Sequence, residues 1–396
     1  MTADRNQTEE APARPGWVAG LAPLALLGVV VAAFFFFDPL AKLREGFPPI
    51  EELTIQRVVL NDSPNEFVVS VVNGGPEPVT VAQVLVDDAY WSHEVTPSRT
   101  IEPLRSATVR IDYPWVEGEP HEIVLITESG VTFEHEVEVS VTTPTADLQT
   151  FALLGLLGVY VGVLPVGIGL LWYPWVRRLG ARWVSFLLMF TAGILVFLAF
   201  DATVEAIELA PAVPGAFRGT SLLVVSIGVA LATLLAVGGR STRKGQQPSA
   251  LVLATLIAVG IGLHNLGEGL AIGAAYSLGE VALTSLLVVG FTIHNATEGL
   301  GIVASLSQQR VGIGRLAGLG LIAGAPTIVG SWLGGIAYNP GLAIAFLGLG
   351  VGAILQVVWE LASLVRARGR LVEPLVLAGF VAGMIAMYLT AILVVA

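Results

Sequence analysis

In this chain of 396 residues, 54% are hydrophobic and 13% charged, whereas a soluble globular domain carries charge on about 25% of its residues. A formal charge of −11 with no basic patch argues against nucleic acid as a partner. With no cysteine, disulfides, iron–sulfur clusters and thiolate metal sites are excluded.

Residues 1–16 are polar and proline-containing, and are expected to form a disordered cytoplasmic tail. Residues 17–37, WVAGLAPLALLGVVVAAFFFF, make one apolar run long enough to cross a membrane. A signal peptide would have a shorter apolar core followed by a small-residue cleavage site. FFFFDPLAKLREG offers no such site, so the run reads as an uncleaved anchor. On either reading, the segment after it is exported.

Residues 48–145 change period. ELTIQRVVL, EFVVSVVN, PVTVAQVLV, ATVRIDY, HEIVLITE and VTFEHEVEVSV are short and rich in Val, Ile and Thr, and NDSPN, NGGPEP and VEGEP separate them as turns. Six or seven such strands in about 100 residues predict an extracytoplasmic β-sandwich of immunoglobulin-like type. VVNGGPEPVTV resembles the bacterial and archaeal surface modules of that type. The segment holds 17 Asp and Glu against four Arg, a field that attracts cations. His135 in FEHEVEV has a glutamate on each side, but neighbours on a strand face opposite ways, so it reads as solvated surface.

Residues 150–396 are nearly all apolar. Eight spans are predicted, at 151–173, 184–206, 220–238, 250–275, 281–305, 314–337, 341–363 and 372–395. The loops after spans one, three, five and seven carry eleven basic residues: Arg177, Arg178, Arg182, Arg240, Arg243, Lys244, Arg310, Arg315, Arg366, Arg368 and Arg370. The alternate loops carry Arg218 alone. The positive-inside rule places the basic loops in the cytoplasm. Span one then starts outside, as an exported β-domain requires. The expected fold is multi-domain. An all-α polytopic bundle of eight transmembrane helices in the cell membrane comes after one N-terminal transmembrane helix and an immunoglobulin-like β-sandwich.

Two segments carry the chemistry. HNLGEG stands at 264–269 in span four and HNATEG at 294–299 in span five. Positions four apart share a helix face, so His264 lies above Glu268 and His294 above Glu298. His264 is about 14 residues into its span and His294 about 13 into the next, roughly 20 Å of helix in a core of about 30 Å. Spans four and five are antiparallel neighbours joined by a short loop, so the motifs can meet near mid-membrane. Two imidazoles and two carboxylates there make a divalent-cation site; imidazole suits zinc, iron, copper and nickel, and carboxylate widens the choice toward manganese. An ionised glutamate at that depth costs at least about 2.5 kcal/mol unless it is paired or solvated, and a divalent ion offsets that cost. A lone intramembrane histidine is readily explained as a helix–helix hydrogen bond; the doubled motif at equal depth is not.

HNLGEG and HNATEG resemble the paired signatures of the ZIP family of zinc- and iron-regulated-like metal transporters. The resemblance covers roughly residues 150–396, with eight spans and a cytoplasmic loop between spans three and four; the β-domain and first anchor lie outside it. It implies that His264, Glu268, His294 and Glu298 form the primary metal site, and that Asn265 and Asn295 border it or join a neighbouring second site. It implies transport of a divalent metal into the cytoplasm without ATP, zinc first, with iron, manganese or cadmium as other cargoes. It further implies a homodimer in the lipid bilayer in which one four-helix block slides against the other. Two departures stand out. The family often has proline just before each motif glutamate, where this chain has Gly267 and Thr297. It often has Glu-Pro in span six, where this chain has Ala325-Pro326 and so lacks a carboxylate.

Asp201, Glu205 and Glu208 fall near one face at the outer end of span two. They read either as a solvated helix end or as an entry funnel; FTAGIL just before them resembles the family's second-span opening. Glu360, near the inner end of span seven, either pairs with Arg366 or Arg368 as an anchor or receives metal on exit. An intramembrane metal-dependent hydrolase and a membrane metal sensor are the alternative functions. The hydrolase would need an open coordination position and a general base.

Overall fold

The structure is a computed structural model that describes residues 17–37, 50–145, 147–241, 249–278 and 281–395. The 1–16 tail, and Arg243 and Lys244 in the loop after span three, lie outside the described residues. Trp17–Phe37 form a helix containing Pro23, in a unit separate from the rest of the chain.

The β-domain has nine strands among the described residues: β1 Leu53–Asp62, β2 Asn65–Asn73, β3 Val79–Val86, β4 Ala89–Tyr90, β5 His93–Thr96, β6 Thr100–Ile101, β7 Ser106–Ile111, β8 His121–Thr127 and β9 Thr132–Val137. They form two antiparallel sheets, β1-β2-β7-β5 and β4-β3-β8-β9, with β6 beside β3. The six apolar segments of the sequence became β1, β2, β3, β7, β8 and β9. The three added strands are short and mostly exposed, so DDAYWSHEVTPSRTI shows little of the alternation that burial imposes. Both sheets turn alternate residues inward. Phe67, Val69, Val109 and Ile111 meet Val81, Val84, Ile123 and Leu125 in one core. Asn73 closes the NGGPEP turn, donating to the carbonyls of Glu77 at 2.7 Å and Ile101 at 2.8 Å while its oxygen accepts from Gly75. Elsewhere in the domain, Asp87 accepts from Tyr113 at 2.8 Å and pairs with His121 at 2.7 Å, tying the two sheets at their rim.

Among the described residues, eight helices are long and apolar enough to cross a membrane: Leu148–Val176, Ala181–Ala212, Gly215–Val237, Ala250–Ser277, Leu283–Ser305, Ile313–Ile336, Pro340–Ala367 and Pro374–Ile392. This makes the chain a multi-pass membrane protein, with the eight spans of residues 150–396 where the sequence put them; the anchor expected at 17–37 is not among the eight, its apolar part being the shorter Pro23–Ala33. Two of them are irregular. Span one widens into a π-turn at Val159–Val163. Span six breaks at Ala325, because Pro326 has no N–H to continue the first half and opens the second instead.

Spans four and six touch backbone to backbone. A side chain at Gly269 would strike the Thr327 carbonyl, and one at Gly330 would strike that of Leu266. Similar close approaches join span one to five at Gly169 and Gly299, span two to eight at Gly193 and Gly383, and span three to seven at Gly348 and Gly352. Lipid offers no hydrophobic drive between helices, so such small-residue contacts hold a bundle through dispersion. The β-domain rests on one end of this bundle. The Glu52 carboxylate accepts the backbone N–H of Gly215, between spans two and three.

Candidate metal centre

His264, Asn265, Glu268, His294, Asn295 and Glu298 are all buried, none more than 8% exposed. Span four is one unbroken helix from Ala250 to Ser277, and span five another from Val281 to Ser305. The motifs therefore keep helical spacing, and each His–Glu pair shares a face as expected. Just before the second glutamate, Thr297 turns its hydroxyl back to the His294 carbonyl at 2.6 Å. The irregular backbone lies in spans one and six, which flank the motifs.

The two motifs are interlocked. Asn265 donates to Glu298 Oε2 at 3.2 Å, and Asn295 donates to Glu268 Oε2 at 2.9 Å. Each asparagine thus holds the other motif's glutamate. Each also spends a second N–H on a carbonyl of an irregular span: Asn295 on Val161 in the π-turn at 3.0 Å, Asn265 on Ala323 beside the break at 3.1 Å. Neither carbonyl carries a sequence signal.

The carboxylates are not equivalent. Glu268 Oε1 is paired with His294 Nε2 and lies 3.3 Å from His264 Nε2. His264, Glu268 and His294 form a group whose ligand atoms all lie within 4.8 Å of one another. Glu298 stands apart on Asn265, so the expected set of four resolves into three residues plus one neighbour. Four buried polar atoms of these six residues have no hydrogen-bond partner among the described residues: His264 Nε2, Glu298 Oε1 and the Oδ1 atoms of Asn265 and Asn295. An unmade bond on a buried polar atom costs about 1–3 kcal/mol, more for a charged group. All four atoms can carry lone pairs, so the residues fit a cation.

A cavity of about 460 Å³ ends on His264 and Glu268. Asp201, Glu205 and Glu208 all line it, as do Leu278 and Tyr338 at the β-domain end of the bundle. The three acids of span two therefore line the same cavity as His264 and Glu268. Glu360 lies in span seven, ten residues beyond Gly350, whose backbone touches that of His264. It makes no ion pair with Arg366 or Arg368 among the described residues; it accepts from Gln356 Nε2 at 3.2 Å. The salt links at that end are Arg182 and Arg370 to Glu373, at 3.4 and 3.3 Å.

Gln356 is a polar residue that no motif in the sequence marks. It is fully buried in an apolar span, and its Oε1 has no partner among the described residues. Gln356→Leu removes that atom at similar volume, while half-exposed Glu360 can turn to water. The variant should unfold in detergent at the same temperature as the unaltered protein or higher, since trading an unmade bond for an apolar group is neutral or stabilising. A lowered unfolding temperature would show that the amide oxygen has a partner.

No protein-family model matches the chain, and no curated protein matches it.

Proposed function

We propose that this protein is a ZIP-type transporter that carries a divalent metal, zinc above iron, manganese or cadmium, toward the cytoplasm. The observation that carries the reading is the buried His264–Glu268–His294 group inside an eight-span membrane bundle. Two imidazoles and a carboxylate suit zinc, and the second carboxylate, Glu298, brings the local charge to match a divalent ion. Asp201, Glu205 and Glu208 concentrate cations at the entry. The cavity is the outward-facing half of an alternating-access path. Close contacts pair span four with six, one with five and six, two with eight and three with seven; on this reading spans one, four, five and six form one block and two, three, seven and eight the other. Movement of one block past the other would carry the centre toward Glu360. The β-domain, an immunoglobulin-like sandwich, faces the outside on this reading, and the basic loops face the cytoplasm.

Proteoliposomes loaded with a zinc indicator should show saturable uptake without ATP. Calorimetry on the same preparation should show one tightly held ion per chain, because the methyl of Ala325 supplies no third carboxylate. Two divalent ions against two carboxylates would leave a net +2 in a low-dielectric site. Absence of flux from inserted protein that binds zinc would favour a sensor. Two high-affinity ions would overturn the charge argument.

A further inference from the structure

The β-domain does not stand clear of the bundle. Strands β1 and β9 are edge strands of the two sheets, and they approach each other along one flank with no hydrogen-bonded ladder between them among the described residues. That flank faces the helix ends and encloses a cavity of about 1150 Å³. Its β-domain wall includes Gln56 and Arg57 from β1 and Glu134, His135 and Glu136 from β9. Its other wall includes Leu278, Leu283 and Tyr338, the same three residues that line the outer part of the cavity ending on His264 and Glu268. The two spaces therefore adjoin at these three residues. Glu52, held on the Gly215 amide, fixes the domain over the mouth, and any side chain at Gly74 would run into Glu52 and Pro214.

Resting on the transport reading above, we infer that the metal reaches its centre through the cleft between β1 and β9, which makes the β-domain the first chamber of the path. The chemistry of the walls suits a hydrated cation. Phe133 and Val137 pack on the sandwich core, so Glu134, Glu136 and Glu138 alternate outward and are exposed. Charges on an edge strand also deter pairing with another chain, but that role does not call for a chamber that opens onto a buried metal group. Carboxylates around a confined opening raise the local cation concentration and the rate of arrival. His135 is half-buried in this wall, where the sequence suggested a solvated residue. Burial holds its imidazole below the ordinary value, so it stays neutral and presents a lone pair rather than a repelling charge. Arg57 is the one arginine among the described lining residues, and its Nε has no partner there.

The chain has no cysteine, so one introduced thiol reports its own position. Gln56→Cys and Glu136→Cys place it in the cleft. Glu94→Cys, on exposed β5 and lining neither chamber, is the control. Each full-length variant is labelled to completion with a bulky neutral maleimide, checked by mass. Zinc uptake into proteoliposomes and the rate of zinc binding to solubilised protein are then read. Labelling in the cleft should bring uptake down to that of empty liposomes and slow binding while leaving the equilibrium Kd unchanged; labelled Glu94→Cys should match its unlabelled form. Fully labelled cleft variants that take up and bind zinc at the unlabelled rate would overturn the inference. If the unaltered protein binds zinc without transporting it, the transport reading fails, and the binding rates still decide whether the cleft is the route. If it binds no zinc, both fall.

Discussion

Glu268→Ala should abolish zinc uptake and remove the tight ion from the calorimetric trace, and it should do so more completely than Glu298→Ala. Glu268 sits at the middle of the centre: one oxygen is paired with His294 and lies 3.3 Å from His264 Nε2, and the other accepts from Asn295. Its removal leaves the two imidazoles and the Asn295 amide without the carboxylate that they face. Breaking a buried charged pair by deleting one partner costs about 3–5 kcal/mol, which corresponds to roughly 10²–10⁴-fold in affinity. Glu298 lies outside the ligand group and is held by Asn265. Its loss should weaken binding less, chiefly by removing long-range charge and freeing Asn265. Glu268→Gln separates shape from charge: an amide oxygen can still accept from Asn295, so the variant should fold and insert yet fail to transport. Normal uptake by Glu268→Ala would sink the site assignment, and equal losses at the two glutamates would sink the asymmetry.

That asymmetry marks where the sequence stops being informative. HNLGEG and HNATEG are nearly the same string at nearly the same depth, and helical spacing treats them alike. The distinction arises from what surrounds them, the π-turn carbonyl of Val161 on one side and Ala323 beside the break in span six on the other. A backbone carbonyl has no letter of its own, so only the fold reveals which amide it will hold. The eight spans were legible because length and hydropathy are local properties, and six strands because burial on one face leaves alternation in the string. Strands β4 to β6 left little trace because most of their side chains are exposed. Asp201, Glu205 and Glu208 were visible as a group, but only the fold shows that they line one cavity with His264. Gln356 looked like one polar letter in an apolar run, and nothing local distinguishes an amide with a partner from one without. His135 was read from strand alternation alone, which says which face a residue takes and not what lies opposite.

Gly330→Ala should destabilise the protein and weaken the metal centre, although alanine is the better helix former by about 1 kcal/mol. The reason is reciprocal contact. An added Cβ at Gly330 would meet the Leu266 carbonyl, one at Gly334 that of Leu270, and in the other direction Gly269 and Gly273 meet the carbonyls of Thr327 and Ser331. A side chain can rotate away from a methyl group, but a helix carbonyl cannot, so spans four and six must move apart. Overpacking of this kind costs about 1–3 kcal/mol, which outweighs the propensity gain. The damage extends to the site because Leu266 is next to Asn265. Separating the spans stretches the 3.1 Å bond from Asn265 to Ala323 and loosens the amide that holds Glu298. Gly318→Ala, on the same span with nothing within 4 Å of its Cβ position, is the matched control and should be neutral or stabilising. Unfolding temperature and zinc affinity measured on both variants decide the matter. If Gly330→Ala is as stable as Gly318→Ala and binds zinc equally well, spans four and six are not held at backbone contact, and the centre does not depend on their approach.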